Sequence, residues 1–101
     1  MTPIERIMRL APVIPVLVIE DVAHAVPVAE ALVRGGLPVL EVTLRTAAAL
    51  DVIRAMKTVP GAMVGAGTVL NEYALDDALS AGSEFIVSPG LTKPLARAAE
   101  A

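Results

Sequence analysis

The chain has 101 residues, 55% of them hydrophobic and 19% charged, with a formal net charge of −3. This much apolar surface excludes a disordered tail, because its burial offsets the entropy lost on ordering. Interspersed charges without a basic stripe speak against nucleic acid as a partner, and with no cysteine there is neither a disulfide framework nor a thiolate metal site.

Taken in chain order, residues 1–10 carry Glu5, Arg6 and Arg9 among apolar positions, which predicts an amphipathic helix rather than a signal peptide. Residues 13–19 form the longest apolar stretch, far short of a membrane span, and read as the first strand. A soluble cytoplasmic protein is expected. Asp21 is placed to cap a helix running to Arg34, with Gly35 and Gly36 ending it. Pro27 falls inside that helix, where loss of a donor predicts a kink. Residues 39–44 form the second strand. Thr46 is then expected to cap a helix that stops before Pro60 and Gly61. Residues 63–69 read as the third strand, and Asn71 caps a helix closed by Gly82. The fourth strand covers residues 85–88. Thr92 opens a last helix that tolerates Pro94 in its first turn.

The four strand-like runs start about 26, 24 and 22 residues apart, a spacing that fits strand, helix and two short loops. Continuous apolar strands joined by helical crossovers imply a parallel α/β sheet. The expected architecture is an N-terminal helix followed by four βα units, half of a (β/α)8 TIM barrel. A whole barrel takes about 250 residues, with about 200 at the low end. A complete four-stranded doubly wound sheet is the alternative. No stop signal follows the last helix, and the apolar excess is large for a small self-contained domain. The expectation is therefore a single partial domain over residues 1–101, truncated in or after the fourth barrel helix.

Along a barrel strand, side chains alternate between the interior and the surrounding helices. Leu40, Val42 and Leu44 share the face suited to helices, which leaves Glu41, Thr43 and Arg45 facing the interior and its C-terminal mouth. Burying a carboxylate and a guanidinium is costly unless they are paired or used, and active sites of such barrels lie at that mouth. An ion pair between Glu41 and Arg45 would be the bland explanation. Four residues of strand separate them by ~13 Å, too far for easy contact. In the third strand, Gly65 and Gly67 admit close approach either of a ligand or of packed neighbours, and Thr68 follows with a free hydroxyl. Dinucleotide binding is rejected, because no third glycine completes the fingerprint. Pro89 follows the fourth strand at the same mouth, where a plain loop turn would also explain it. His24 is read as a surface residue, Lys57 and Lys93 as helix residues, and Asp76 and Asp77 as a solvated helix face. No cluster suggests a metal site.

Together, the segments Pro15-Val16-Leu17-Val18, His24-Ala25-Val26-Pro27, Gly35-Gly36, Val39-Leu40-Glu41-Val42-Thr43-Leu44-Arg45-Thr46, Val64-Gly65-Ala66-Gly67-Thr68-Val69-Leu70 and Ser88-Pro89-Gly90-Leu91-Thr92 resemble the 2-keto-3-deoxy-6-phosphogluconate aldolase family. That family is also active on 2-keto-4-hydroxyglutarate. The resemblance spans nearly the whole chain, and its two longest blocks together are specific. It implies a class I, metal-free and cofactor-free aldolase on a (β/α)8 barrel, a homotrimer when intact. Its substrates would be pyruvate and a small phosphorylated keto acid. By resemblance, Glu41 shuttles protons at the carbinolamine and at the aldehyde oxygen. Arg45 and Thr68 hold the pyruvate end of the substrate, and Pro89 lines the pocket. Some relatives carry an arginine where this chain has Val18, so no contact is assigned there.

Neither Lys57 nor Lys93 matches the family's Schiff-base lysine, which lies in a Lys-Phe-Phe-Pro-Ala-like segment on the sixth strand, and the glycine-rich phosphate site is also not reached. The parent activity is thus expected to be aldol cleavage, with these residues inactive alone. Two alternatives stand beside it. One is a non-enzymatic half barrel that self-associates through uncovered strands. The other is a different phosphate-binding barrel enzyme, which rests on architecture alone.

Overall fold

A computed structural model describes residues 2–10, 13–88 and 93–100. Its elements follow the expected order: α1 (Pro3–Leu10), β1 (Val16–Leu17), a 3-10 turn (Val22–His24), α2 (Ala25–Arg34), β2 (Val39–Thr43), α3 (Ala49–Met56), β3 (Met63–Gly67), α4 (Glu72–Ala81), β4 (Ile86–Val87) and α5 (Lys93–Glu100). The strands form one sheet in the order β1-β2-β3-β4, and every pair is parallel. Its extents of 38 × 34 × 19 Å describe a slab two layers thick, a sheet backed on one face by α2, α3, α4 and α5. This is half of a (β/α)8 barrel in strand number. None of the described helices is long and apolar enough to cross a membrane.

The hydrophobic pattern explains the layering. Leu40, Val42, Val64 and Ala66 point from the sheet into one cluster with Ala25 and Ala29 of α2, Val52, Ile53 and Met56 of α3, Leu75 and Ala78 of α4, and Leu95 of α5. Leu44 packs at its edge, as the alternation requires. On the opposite face, Val39 meets Ile7 of α1, with Ile14, Met63 and Phe85 packed around them. Ile7 is buried, while Ile4 and Met8 of the same helix remain exposed. The amphipathic first helix therefore serves as a stopper at the N-terminal end of the concave face.

Several local signals act as expected. The Asn71 side chain accepts a hydrogen bond from the Ala74 amide at 2.8 Å and caps α4. At the other end, Gly82 takes φ 104°. Its amide donates to the Leu79 carbonyl and the Ser83 amide to the Ala78 carbonyl, the paired bonds of a Schellman motif. Gly36, with φ 91°, closes α2 in the same way, with Leu37 donating to Leu32.

Two expectations are corrected. Pro27 does not kink a helix. Asp21 caps the 3-10 turn by accepting from Ala23 at 2.9 Å, so α2 begins only at Ala25. Pro27 then lies in the first turn of α2, where its amide would have had no intrahelical acceptor. Thr46 does not cap α3 either. Its hydroxyl donates instead to the Ile19 carbonyl at 3.0 Å, and Ala48 occupies the cap without a side-chain bond. The residue ties the end of β1 to the loop after β2. Thr92 lies outside the described residues.

Candidate active site

The concave face can be read from the register. Glu41 pairs with Val16 on one side and Gly65 on the other, Thr43 with Gly67, and Gly67 with Val87. Partners in parallel strands point the same way, so these side chains share one face. The cluster of Ile7, Ile14, Val39, Met63 and Phe85 forms an apolar floor at its N-terminal end. Above that floor, Glu41 is the charged residue of the layer and is 8% exposed.

Its position depends on the glycines of β3. A β-carbon on Gly67 would overlap the Glu41 carboxyl, and one on Gly65 would overlap the ring of Phe85. The Glu41 side chain therefore leans across β3, one residue pair beyond its own register partner, towards the C-terminal mouth. The sequence left ligand contact and close packing both open for these glycines; the structure assigns them to packing, by neighbouring side chains. No hydrogen bond or ion pair reaches the Glu41 carboxyl among the described residues. Burial without a compensating partner pushes it above the ordinary glutamate range. A carboxyl moved in that direction suits proton transfer near neutral pH.

Thr43, also buried, donates from Oγ1 to the Leu17 carbonyl at 3.1 Å and locks β1 beside β2. Arg45 sits in the turn after β2, which ends at Thr43, and it is exposed. It makes no ion pair with Glu41, so the bland explanation of the pair fails. Thr68 is half-buried, one residue past the end of β3. It lies beside the same turn, because Leu44 donates its amide to Gly67 at 2.7 Å. Thus Glu41, Arg45 and Thr68 gather at the C-terminal end of β2 and β3, while Pro89 lies outside the described residues.

The other polar residues singled out in the sequence lie on helices or at their ends. Lys57 caps the C-terminus of α3 at the far end of the sheet, its stem against Gly82, and Lys93 is an exposed first residue of α5. His24, Asp76 and Asp77 are exposed. No group of three or more histidine or carboxylate side chains suited to a metal occurs among the described residues. Phe85 and the two glycines were not singled out as a unit in the sequence. The available signal was an alternation of glycine with a single phenylalanine on the next strand.

Comparison with known proteins places this arrangement. The family model described as KDPG and KHG aldolase matches residues 4–101. A 2-dehydro-3-deoxy-phosphogluconate aldolase of Zymomonas mobilis is 66% identical over the whole chain, which covers 49% of that protein. The KHG/KDPG aldolase of Escherichia coli is 57% identical over 97% of the chain and 46% of its own length. Among solved structures, the Zymomonas mobilis 2-keto-3-deoxy-6-phosphogluconate aldolase with 3-phosphoglycerate superposes with a TM-score of 0.92 at 67% identity, covering 96% of this chain and 46% of that one. A KDPG aldolase from Legionella pneumophila, with pyruvate captured at low pH as a covalent carbinolamine intermediate, gives 0.90 at 42% identity, over 99% and 48%. The chain spans about half the length of the curated relatives it matches. Matched almost from end to end by the family model, it belongs to the KDPG and KHG aldolase family.

Proposed function

We propose that these residues supply the proton-transfer and carboxylate-binding part of a class I aldolase cleaving 2-keto-3-deoxy-6-phosphogluconate to pyruvate and glyceraldehyde 3-phosphate. The observation that carries this reading is Glu41, a residue only 8% exposed whose carboxyl has no partner among the described residues, held over Gly67 at the mouth of the sheet. A structural ion pair would have explained its burial, and none is formed.

In this reading a lysine amine adds to the keto carbon, and loss of water from the carbinolamine leaves an iminium. Glu41 exchanges the protons of that dehydration. When the carbon–carbon bond breaks, its electron pair moves into the iminium to give an enamine. The hydroxyl on the leaving side passes its proton to the Glu41 carboxylate, and the aldehyde departs. Protonation of the enamine and hydrolysis then release pyruvate. Arg45 receives the substrate carboxylate through its planar fork, with the Thr68 hydroxyl at the same pyruvate end and Pro89, by the family resemblance, lining the pocket. Lys57 lies at the far end of the sheet and Lys93 is an exposed helix residue; neither matches the family's Schiff-base lysine, so this reading takes the amine from outside these 101 residues. The intact protein is a metal-independent cytoplasmic homotrimer.

Borohydride trapping with pyruvate, followed by mass spectrometry, tests the reading. A stable adduct is expected on the intact parent and none on this chain alone. An adduct on the chain would make Lys57, Lys93 or the N-terminal amine reactive and overturn the assignment. No adduct on either would remove Schiff-base chemistry.

A second reading, a half barrel that self-associates without catalysis, is favoured by one observation. Val16 of β1 and Val87 of β4, the strands at the sheet's two edges, are 59% and 42% exposed, and Val18, just past β1, is 53% exposed. Size-exclusion chromatography showing a stable monomer would refute it.

A further inference from the structure

Glycine in the interior of a strand weakens it, since it loses more backbone freedom and offers no side chain to pack. Gly65 and Gly67 accept that weakness in the middle of the sheet, where both are buried. Backbone conformation does not demand them. Among the described residues the glycines with positive φ are Gly36, Gly61 and Gly82, so any residue could adopt the backbone of Gly65 or Gly67. What the two positions share is an occupant. The three atoms nearest a β-carbon at Gly65 are all of the Phe85 ring, and the three nearest one at Gly67 are all of the Glu41 side chain. The distance to Glu41 Cδ would be 2.7 Å and to Cγ 3.0 Å, closer than carbon atoms tolerate.

We propose that Gly67 is a positioning residue for Glu41, its absent side chain forming a slot on β3 that receives the carboxyl and turns it towards the mouth. The register shows how. Glu41 pairs with Gly65 but its carboxyl lies at Gly67, two residues further along β3. Phe85 fills the space over Gly65, so Gly67 is the vacant place on that strand. The residues sharing the face (Val16, Thr43, Gly65, Gly67 and Val87) are uncharged, and Arg45, the cation past the end of β2, makes no ion pair with the carboxyl, so steric space rather than charge sets the direction. This deepens the aldolase reading, in which the carboxyl must face a substrate entering from the mouth.

The test is a titration of this chain with carboxyl-labelled glutamate, followed by NMR, comparing Gly67→Ala with Gly35→Ala. In Gly67→Ala the Glu41 midpoint is expected to fall towards that of a free glutamate, because the displaced carboxyl regains water. Gly35, on ordinary backbone at the end of α2, should tolerate alanine with no change in that midpoint. A folded Gly67→Ala chain with an unaltered midpoint overturns the proposal. If Gly67→Ala does not fold, the double variant Glu41→Ala/Gly67→Ala decides. Its folding would show that the carboxyl was the obstacle, and its failure would show that Gly67 is needed for another reason. No substrate enters the titration, so a failed borohydride trap removes the aldolase reading and leaves the slot standing. An unaltered midpoint does the reverse.

Discussion

Replacing Glu41 by glutamine removes the charge while keeping the length of the side chain, and the resulting change in stability should depend on pH. Burial raises the folded-state pKa of this carboxyl above its ordinary value of 4.5, so the folded protein holds the proton to higher pH than the unfolded chain does. Wild-type stability from this group is therefore full below the unfolded pKa. It declines as pH rises through the folded pKa, then stays flat. Each unit of displacement amounts to ~1.4 kcal/mol at neutral pH. Glutamine is neutral throughout and escapes that loss; whatever its amide costs on burial does not vary with pH. Urea unfolding followed by circular dichroism from about pH 4 to pH 8 isolates the difference. With a slope of roughly 1–3 kcal/mol/M for a small domain, each unit would move the variant's midpoint upward by ~0.5–1.4 M relative to the wild type. A difference between the two proteins that is constant across this range would refute the reasoning, because the carboxyl would then be solvated or paired in the folded state.

Two further outcomes follow from single hydrogen bonds. Asn71→Ala removes the cap of α4 and should cost ~1 kcal/mol, read as a fall in Tm of about 4–8 °C for a domain of this size. Thr43→Val keeps the shape but removes the hydroxyl that donates to the Leu17 carbonyl. It should cost ~1 kcal/mol and raise amide exchange at the end of β1, while β3 stays protected.

The parts of this fold that were legible in the sequence are those with local causes. Asn71 and Gly82 bracket α4 because capping and left-handed backbone are properties of the residues themselves. Alternation along β2 separated Leu40 and Val42 from Glu41 and Thr43, as observed. Misreadings arose where a distant partner decided. Thr46 has the chemistry of a cap, but the Ile19 carbonyl, far off in sequence, takes its proton. Pro27 was judged against a helix starting too early, because Asp21 was not recognised as capping a separate 3-10 turn. Arg45 was extended along β2, although the ladder ends at Thr43. The glycine slots were illegible for the same reason: what fills the space over Gly67 is a side chain from the next strand.

The sheet order β1-β2-β3-β4 has a consequence for how the molecule is made. Each strand after the first pairs with the one just before it, so it meets a neighbour that is already made. Closing each pair spans only one helix and two loops, a modest loop entropy for a parallel sheet. During synthesis, which runs from the N-terminus, β2 gains its second neighbour as soon as β3 is laid down. The seat of Glu41 is completed one unit later, when Phe85 fills the space over Gly65 and leaves Gly67 as the vacant place. The costliest group in the sheet to bury is thus enclosed by consecutive units of the chain, in the order in which they are made.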